Sequence, residues 1–130
     1  MPTASSWTST RWLRSRRPTW TASSRRWPPA RRSAPMFLLL GRYLKPVDEV
    51  EVHLDAHRAW VREHAEAGRV IAAGREMPLQ GGLLVAVGVT RAEVDAMTAA
   101  DPYVTAGVAE YDVREYDVVL AAPGAEALRA

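Results

Sequence analysis

The chain has 130 residues and a mass of 14.4 kDa, the size of one domain, which excludes a pair of stacked catalytic domains. With 48% hydrophobic and 25% charged residues it can build a core, and with no cysteine it has no disulfide, thiolate metal site or cysteine nucleophile. The apolar runs, such as Met36 to Leu40, fall far short of the roughly 20 residues of a membrane span, so a soluble, cytoplasmic protein is expected.

Charge is divided unevenly along the chain. Residues 1–35 hold eight arginines and no acid, a charge of +8. The remainder has the other nine of the 17 Lys and Arg with all 15 Asp and Glu, so 9 − 15 = −6. The basic arm also has four of the five tryptophans (Trp7, Trp12, Trp20, Trp27), five prolines, and Leu13 as its one large aliphatic residue. So little apolar surface cannot offset a backbone ordering entropy of roughly 1–2 kcal/mol per residue, and disorder is expected. Arginine interleaved with Trp suits nucleic-acid binding through this arm. The acid-free Ser/Arg composition also fits a transit peptide. A twin-arginine signal fails because the apolar stretch stops at Gly41-Arg42. The competing expectation is that Met36 is the native start.

From Met36 to Lys45 the pattern reads as a strand ended by Pro46. Asp48 opens a helical pattern to about Ala67, with Asp48, Glu49 and Glu51 favoured in its first turn and Gly68 as its cap. At about 100° per residue, Val47, Val50, Leu54, Val61 and Ala65 form the expected buried stripe, opposite Asp55, Arg58, Arg62 and Glu66. His53, His57, Trp60 and His64 form a second stripe at its edge. Arg69–Met77 reads as a strand with a bulge or close approach at Gly74, Pro78–Gly82 as a turn, and Leu83–Val89 as a covered central strand. Thr90 with Glu93 has capping-box spacing for a helix from Arg91 to about Ala100. Asp101-Pro102 breaks it, a short turn or helix runs to Gly107, and Ala109–Leu120 reads as a long last strand. Residues 122–130 are expected to fray.

The order βαββαβ predicts an α+β, ferredoxin-like domain over residues 36–121: an antiparallel four-stranded sheet with both helices on one face. Its bare face, in a domain near the size where one core is marginal, points to a homodimer through the open sheet face.

Three features carry a family resemblance. A helical histidine stands 11 residues ahead of a glycine leading into a strand, His57 to Gly68 in HRAWVREHAEAGRVIAAG. Ala100-Asp101-Pro102-Tyr103-Val104 is followed by Ala106-Gly107-Val108, and Tyr111–Leu120 closes the domain. In this order the segments resemble the YCII-related family, small ferredoxin-like chains that form dimeric α+β barrels. The resemblance implies that His57 and Asp101 form an active-site pair in a pocket beside the sheet. One relative eliminates hydrogen chloride from a chlorinated hydroxyquinol, and similar barrels isomerise lactones or degrade aromatics. The loop between the second and third strands is short here.

Imidazole titrates near neutrality, so His57 can take or give a proton, and a carboxylate on one ring nitrogen fixes the tautomer. The structural alternative for His57 is an edge-of-core side chain bonded to a carbonyl; for Asp101 it is an N-cap ahead of Pro102, worth about 1 kcal/mol. Tyr103 and Trp60 are candidate substrate contacts, with turn packing and core or dimer packing as their alternatives. His53 and His57 are spaced for a metal with Glu49 a turn further back, but there is no HExxH pattern and no metal is expected. Gly81 and Gly82 belong to no phosphate-loop pattern, and no cofactor is indicated. Two functions follow. One is a cofactor-independent acid/base enzyme carrying out elimination or isomerisation on a small cyclic or aromatic molecule; the other is a non-catalytic ligand-binding or regulatory module.

Overall fold

Leu39 and its neighbours explain the sheet. In strand β1 (Met36–Tyr43) Phe37 and Leu39 are fully buried while Leu40, between them and the strand end, is 37% exposed. Alternation of this kind needs a strand covered on one face. A computed structural model describes residues 35–129, and every expectation for residues 1–34 lies outside it.

Four strands, β1, β2 (Val70–Arg75), β3 (Gly81–Ala86) and β4 (Ala109–Tyr116), form one antiparallel sheet in the order β2-β3-β1-β4. Helices α1 (Val47–Glu51) and α2 (Leu54–Glu66) follow β1, and α3 (Arg91–Ala99) and α4 (Pro102–Thr105) follow β3. This is the expected ferredoxin-like α+β fold. Trp60 from α2 and Val94 and Met97 from α3 pack with Phe37, Leu39, Leu84 and Ala86 of the sheet, so both helices cover the same face. Burying each of these large side chains contributes about 1.5–3 kcal/mol. A smaller cluster joins Val50, Tyr103, Val108 and Ala109. The first residues of α3 are capped as expected, with the Glu93 amide donating to Thr90 Oγ1 at 3.2 Å.

The single helix expected from Asp48 to Ala67 is two. Val52 and His53 form a turn between α1 and α2, with His53 at φ −103° and ψ 11°. Val50 of α1 packs with Tyr103, joined by Leu54 at the start of α2, while Trp60 further along α2 packs against the sheet, and the turn resets the phase between them. The buried stripe is rotated accordingly. Ala65 is exposed, whereas Leu54, His57, Trp60, Val61 and His64 face inward.

The sheet corrects three further expectations and decides a fourth. β3 begins at Gly81, so the two glycines are strand residues paired with Arg42 and Gly41, and the turn is confined to the residues before them. A Cβ on Gly81 would stand 1.9 Å from the Gly41 carbonyl oxygen, and one on Gly82 would stand 2.7 Å from that of Gly74. These backbones approach as closely as they do because no side chain is present. The register irregularity in β2 falls between Val70 and Ala72, and of the two alternatives for Gly74 it is the close approach, to Gly82, that is present. β3 is central but covered on one face, leaving Leu83 37% exposed. β4 stops at Tyr116 rather than Leu120 because Tyr116 pairs with Met36, the first residue of β1, and beyond it there is no partner strand. Glu126–Arg129 form a 3-10 turn near the end of the chain.

Candidate active site

Proline at the first helical position cannot donate a hydrogen bond, and the residue before it takes an extended backbone. Asp101 sits at that point with φ −60° and ψ 127°, and its Oδ1 accepts the Tyr103 amide at 3.0 Å, capping α4. Its side chain is completely buried. A buried carboxylate requires donors, and two more are supplied. His57 Nδ1 lies 2.8 Å from Oδ1, 44 positions away in sequence. Tyr111 Oη donates to Oδ2 at 2.6 Å, the length of a charge-assisted O–H···O⁻ bond. Three elements thus converge on one carboxylate: α2 brings His57, β4 brings Tyr111, and α4 brings its own N-terminal amide.

Because the carboxylate accepts, His57 Nδ1 carries the hydrogen, and Nε2 holds the free lone pair. The His57 ring lies flat on that of Tyr103, 3.9 Å between centroids and 3° from parallel. Burial pushes the Tyr103 hydroxyl up to about 12, reinforced by Tyr43 and by the Asp101 charge. Burial first, and then the charge and hydrogen bond of Asp101, push Tyr111 far above its ordinary value, so it stays a neutral donor.

His57 opens onto a cleft of about 500 Å³ between α2 and the sheet, lined also by Gly41, Gly82, Tyr43, Tyr103 and Tyr111. The site residues expected from sequence divide here. His57, Asp101 and Tyr103 form one cluster, with His57 and Tyr103 facing the cleft and Asp101 behind them. Trp60 lies in the core, 5.7 Å from His57 between ring centroids, and backs the site without lining the cleft. Tyr111 was not expected. The alternation Ala109, Tyr111, Val113 places it on the helix-covered face, and a polar-tipped residue at an inward position of a strand is the signal that identifies it. Among the described residues no group of three or more His, Asp or Glu side chains is placed to hold a metal.

The YCII-related domain matches residues 36–117. The chain belongs to the YCII-related family. No curated protein matches it. Among solved structures it is similar to 5-chloro-2-hydroxyhydroquinone dehydrochlorinase from Burkholderia phenoliruptrix AC1100 in complex with 2,5-dihydroxybenzoquinone, at 21% identity and a TM-score of 0.49, over 61% of this chain and 90% of that one. Among the described residues of this YCII-related chain, no helix is long and apolar enough to cross a membrane.

Proposed function

We propose that the cleft binds a small cyclic or aromatic molecule and that His57 moves a proton on it in a cofactor-independent elimination or isomerisation. The observation that carries this reading is the His57 Nδ1 to Asp101 bond, with the opposite edge of the imidazole at the cleft. Nε2 accepts a proton from a substrate carbon or hydroxyl, and the buried carboxylate balances the imidazolium that forms. In an elimination the leaving group departs with the bonding pair and the proton passes from Nε2 to water. In an isomerisation the proton returns to a different substrate atom. Tyr111 and the Tyr103 amide hold the carboxylate in place, and the Tyr103 ring holds the imidazole plane. Membership of the YCII-related family supports a small-molecule site at this position.

The test is a panel of halogenated hydroquinones and unsaturated lactones, followed by halide release and by ultraviolet absorbance, with wild type and His57→Ala. Turnover lost in a variant whose circular dichroism matches wild type is the expected result. Turnover retained in His57→Ala overturns the reading, and a ligand bound equally by both with no product assigns the cleft to a binding module.

The open sheet face supports a homodimer. Leu38, Leu40, Leu83 and Val85 form its apolar part across β1 and β3, while on β4 Glu110 contacts Arg42 and Asp112 pairs with Arg114 at 2.9 Å. A second copy covering the apolar part completes a dimeric α+β barrel, as the family resemblance implies. Sedimentation equilibrium checks this, and a monomer at all concentrations overturns it.

A further inference from the structure

The cleft beside His57 is bordered by three guanidinium groups. Arg58 and Arg62 stand one turn apart on α2, and Arg75 ends β2. Periodicity alone explains the first two as a solvated helix face, but it does not explain why both border the same cleft as Arg75. Among the described residues the carboxylate ion pairs are made by Arg42, His57, Arg91 and Arg114, so none of the three cleft arginines has an acidic partner. Glu51 is the single acid on the cleft lining. The chain after residue 35 has 15 acids against nine Lys and Arg, so three cations to one acid reverses the average of the domain at this spot. The influence of these charges reaches the cleft wall: Arg58 acts on Tyr103 and Arg75 on Tyr43, each favouring the phenolate although burial prevails. Below the arginines the surface is apolar or bare, with Leu54, Val61 and Leu84 beside the glycines.

A charged rim over an apolar floor fits a ligand with the same division. We propose that the cleft's ligand is a small ring-bearing carboxylate, its carboxylate held by Arg58, Arg62 and Arg75 and its ring laid against the apolar lining beside His57. Guanidinium forks match a planar carboxylate in two parallel bonds, and the apolar floor selects an organic anion over an inorganic one. This deepens the function proposed above, on which it rests for the place of the reacting ring.

The experiment is calorimetric titration of the full chain with 2,5-dihydroxybenzoate, with hydroquinone, which has the same ring diol but no carboxylate, and with inorganic phosphate. Nuclear magnetic resonance of His57 locates the binding. The carboxylate is expected to bind about tenfold or more tightly than hydroquinone. That preference should shrink between about 0.05 M and about 0.5 M salt and vanish in the triple variant Arg58→Gln, Arg62→Gln, Arg75→Gln, whose circular dichroism is expected to match wild type. Equal binding of hydroquinone, equal binding of phosphate, a preference retained in the triple variant, or no binding of the carboxylate at all overturns the proposal. The two readings fail separately. Loss of the carboxylate preference with His57-dependent turnover intact removes this inference alone, whereas a preserved preference with turnover that survives His57→Ala removes the proton-transfer reading alone.

Discussion

The imidazole of His57 and the carboxylate of Asp101 meet at 2.8 Å with the carboxylate wholly buried and the imidazole at the edge of a cleft. One oxygen, Oδ1, accepts from both His57 and the Tyr103 amide, so the cap of α4 and the orientation of the imidazole depend on the same atom.

That sharing separates two substitutions. In Asp101→Asn the amide oxygen can keep both bonds of Oδ1, and the Tyr111 hydroxyl can turn from donor to acceptor for the new amide. Stability is expected to change by less than about 1 kcal/mol, while turnover falls by about 10² to 10⁴-fold because the imidazolium loses its counter-charge. Asp101→Ala strands three donors, the capped Tyr103 amide among them, and is expected to cost about 3–5 kcal/mol. Urea denaturation and turnover measured on both variants check the split; equal losses of stability in the two would contradict it.

Tyr111→Phe removes the donor to Oδ2 and leaves half of a buried carboxylate unpartnered. A loss of about 1–3 kcal/mol is expected, read from the shift in urea midpoint. The same residue shapes the alkaline limb. Tyr103 is raised to about 12 and Tyr111 further still, whereas unfolded tyrosine ionises near about 10. Above that pH the unfolded chain releases protons that the folded chain keeps, so stability is full below it and is lost as pH rises. Phenolate absorbance should appear together with unfolding, and Tyr111→Phe should lose stability less steeply with pH.

His64 governs an acid limb. Burial, then the charge of Arg69, lowers its proton affinity, and its Nδ1 accepts a bond from Arg69 Nε at 3.0 Å, which only a neutral ring can do. The unfolded chain therefore binds the proton first, and this contribution to stability is present above about 6.5 and lost as pH falls. Denaturation midpoints between about pH 7.5 and about pH 5 are expected to fall less in His64→Gln than in wild type. Identical slopes would remove His64 from the account.

Gly81 and Gly74 provide a matched pair. A Cβ on Gly81 meets the Gly41 carbonyl, while one on Gly74 meets nothing within 4 Å. Gly81→Ala is expected to cost more than about 3 kcal/mol or to prevent folding, and Gly74→Ala to stay within about 1 kcal/mol of wild type. Thermal melts of the two variants decide it.

Much of this was legible in the order of residues. Alternation in Met36–Tyr43 and Ala109–Tyr116, the cap at Thr90 and the Asp101-Pro102 break place the elements of the ferredoxin-like fold, because each is a local signal. His57 and Asp101 were legible as candidates for the same reason. The break at Val52-His53 was not, because the residues on either side of it meet partners remote in sequence, Val50 against Tyr103 and Trp60 against the sheet. Tyr111 is not legible as a site residue although its strand is, because pairing across β1 is what turns it toward Asp101. The strand character of Gly81 and Gly82 was likewise hidden, since two adjacent glycines read locally as a turn and only the opposing Gly41 gives them another purpose.

Gly41 has a consequence for Tyr111. A Cβ at position 41 would stand 3.2 Å from the Tyr111 ring, so the bare main chain there lets that ring lie against β1 while its hydroxyl reaches Asp101. A methyl group added to this strand would therefore be felt at a carboxylate held by another element.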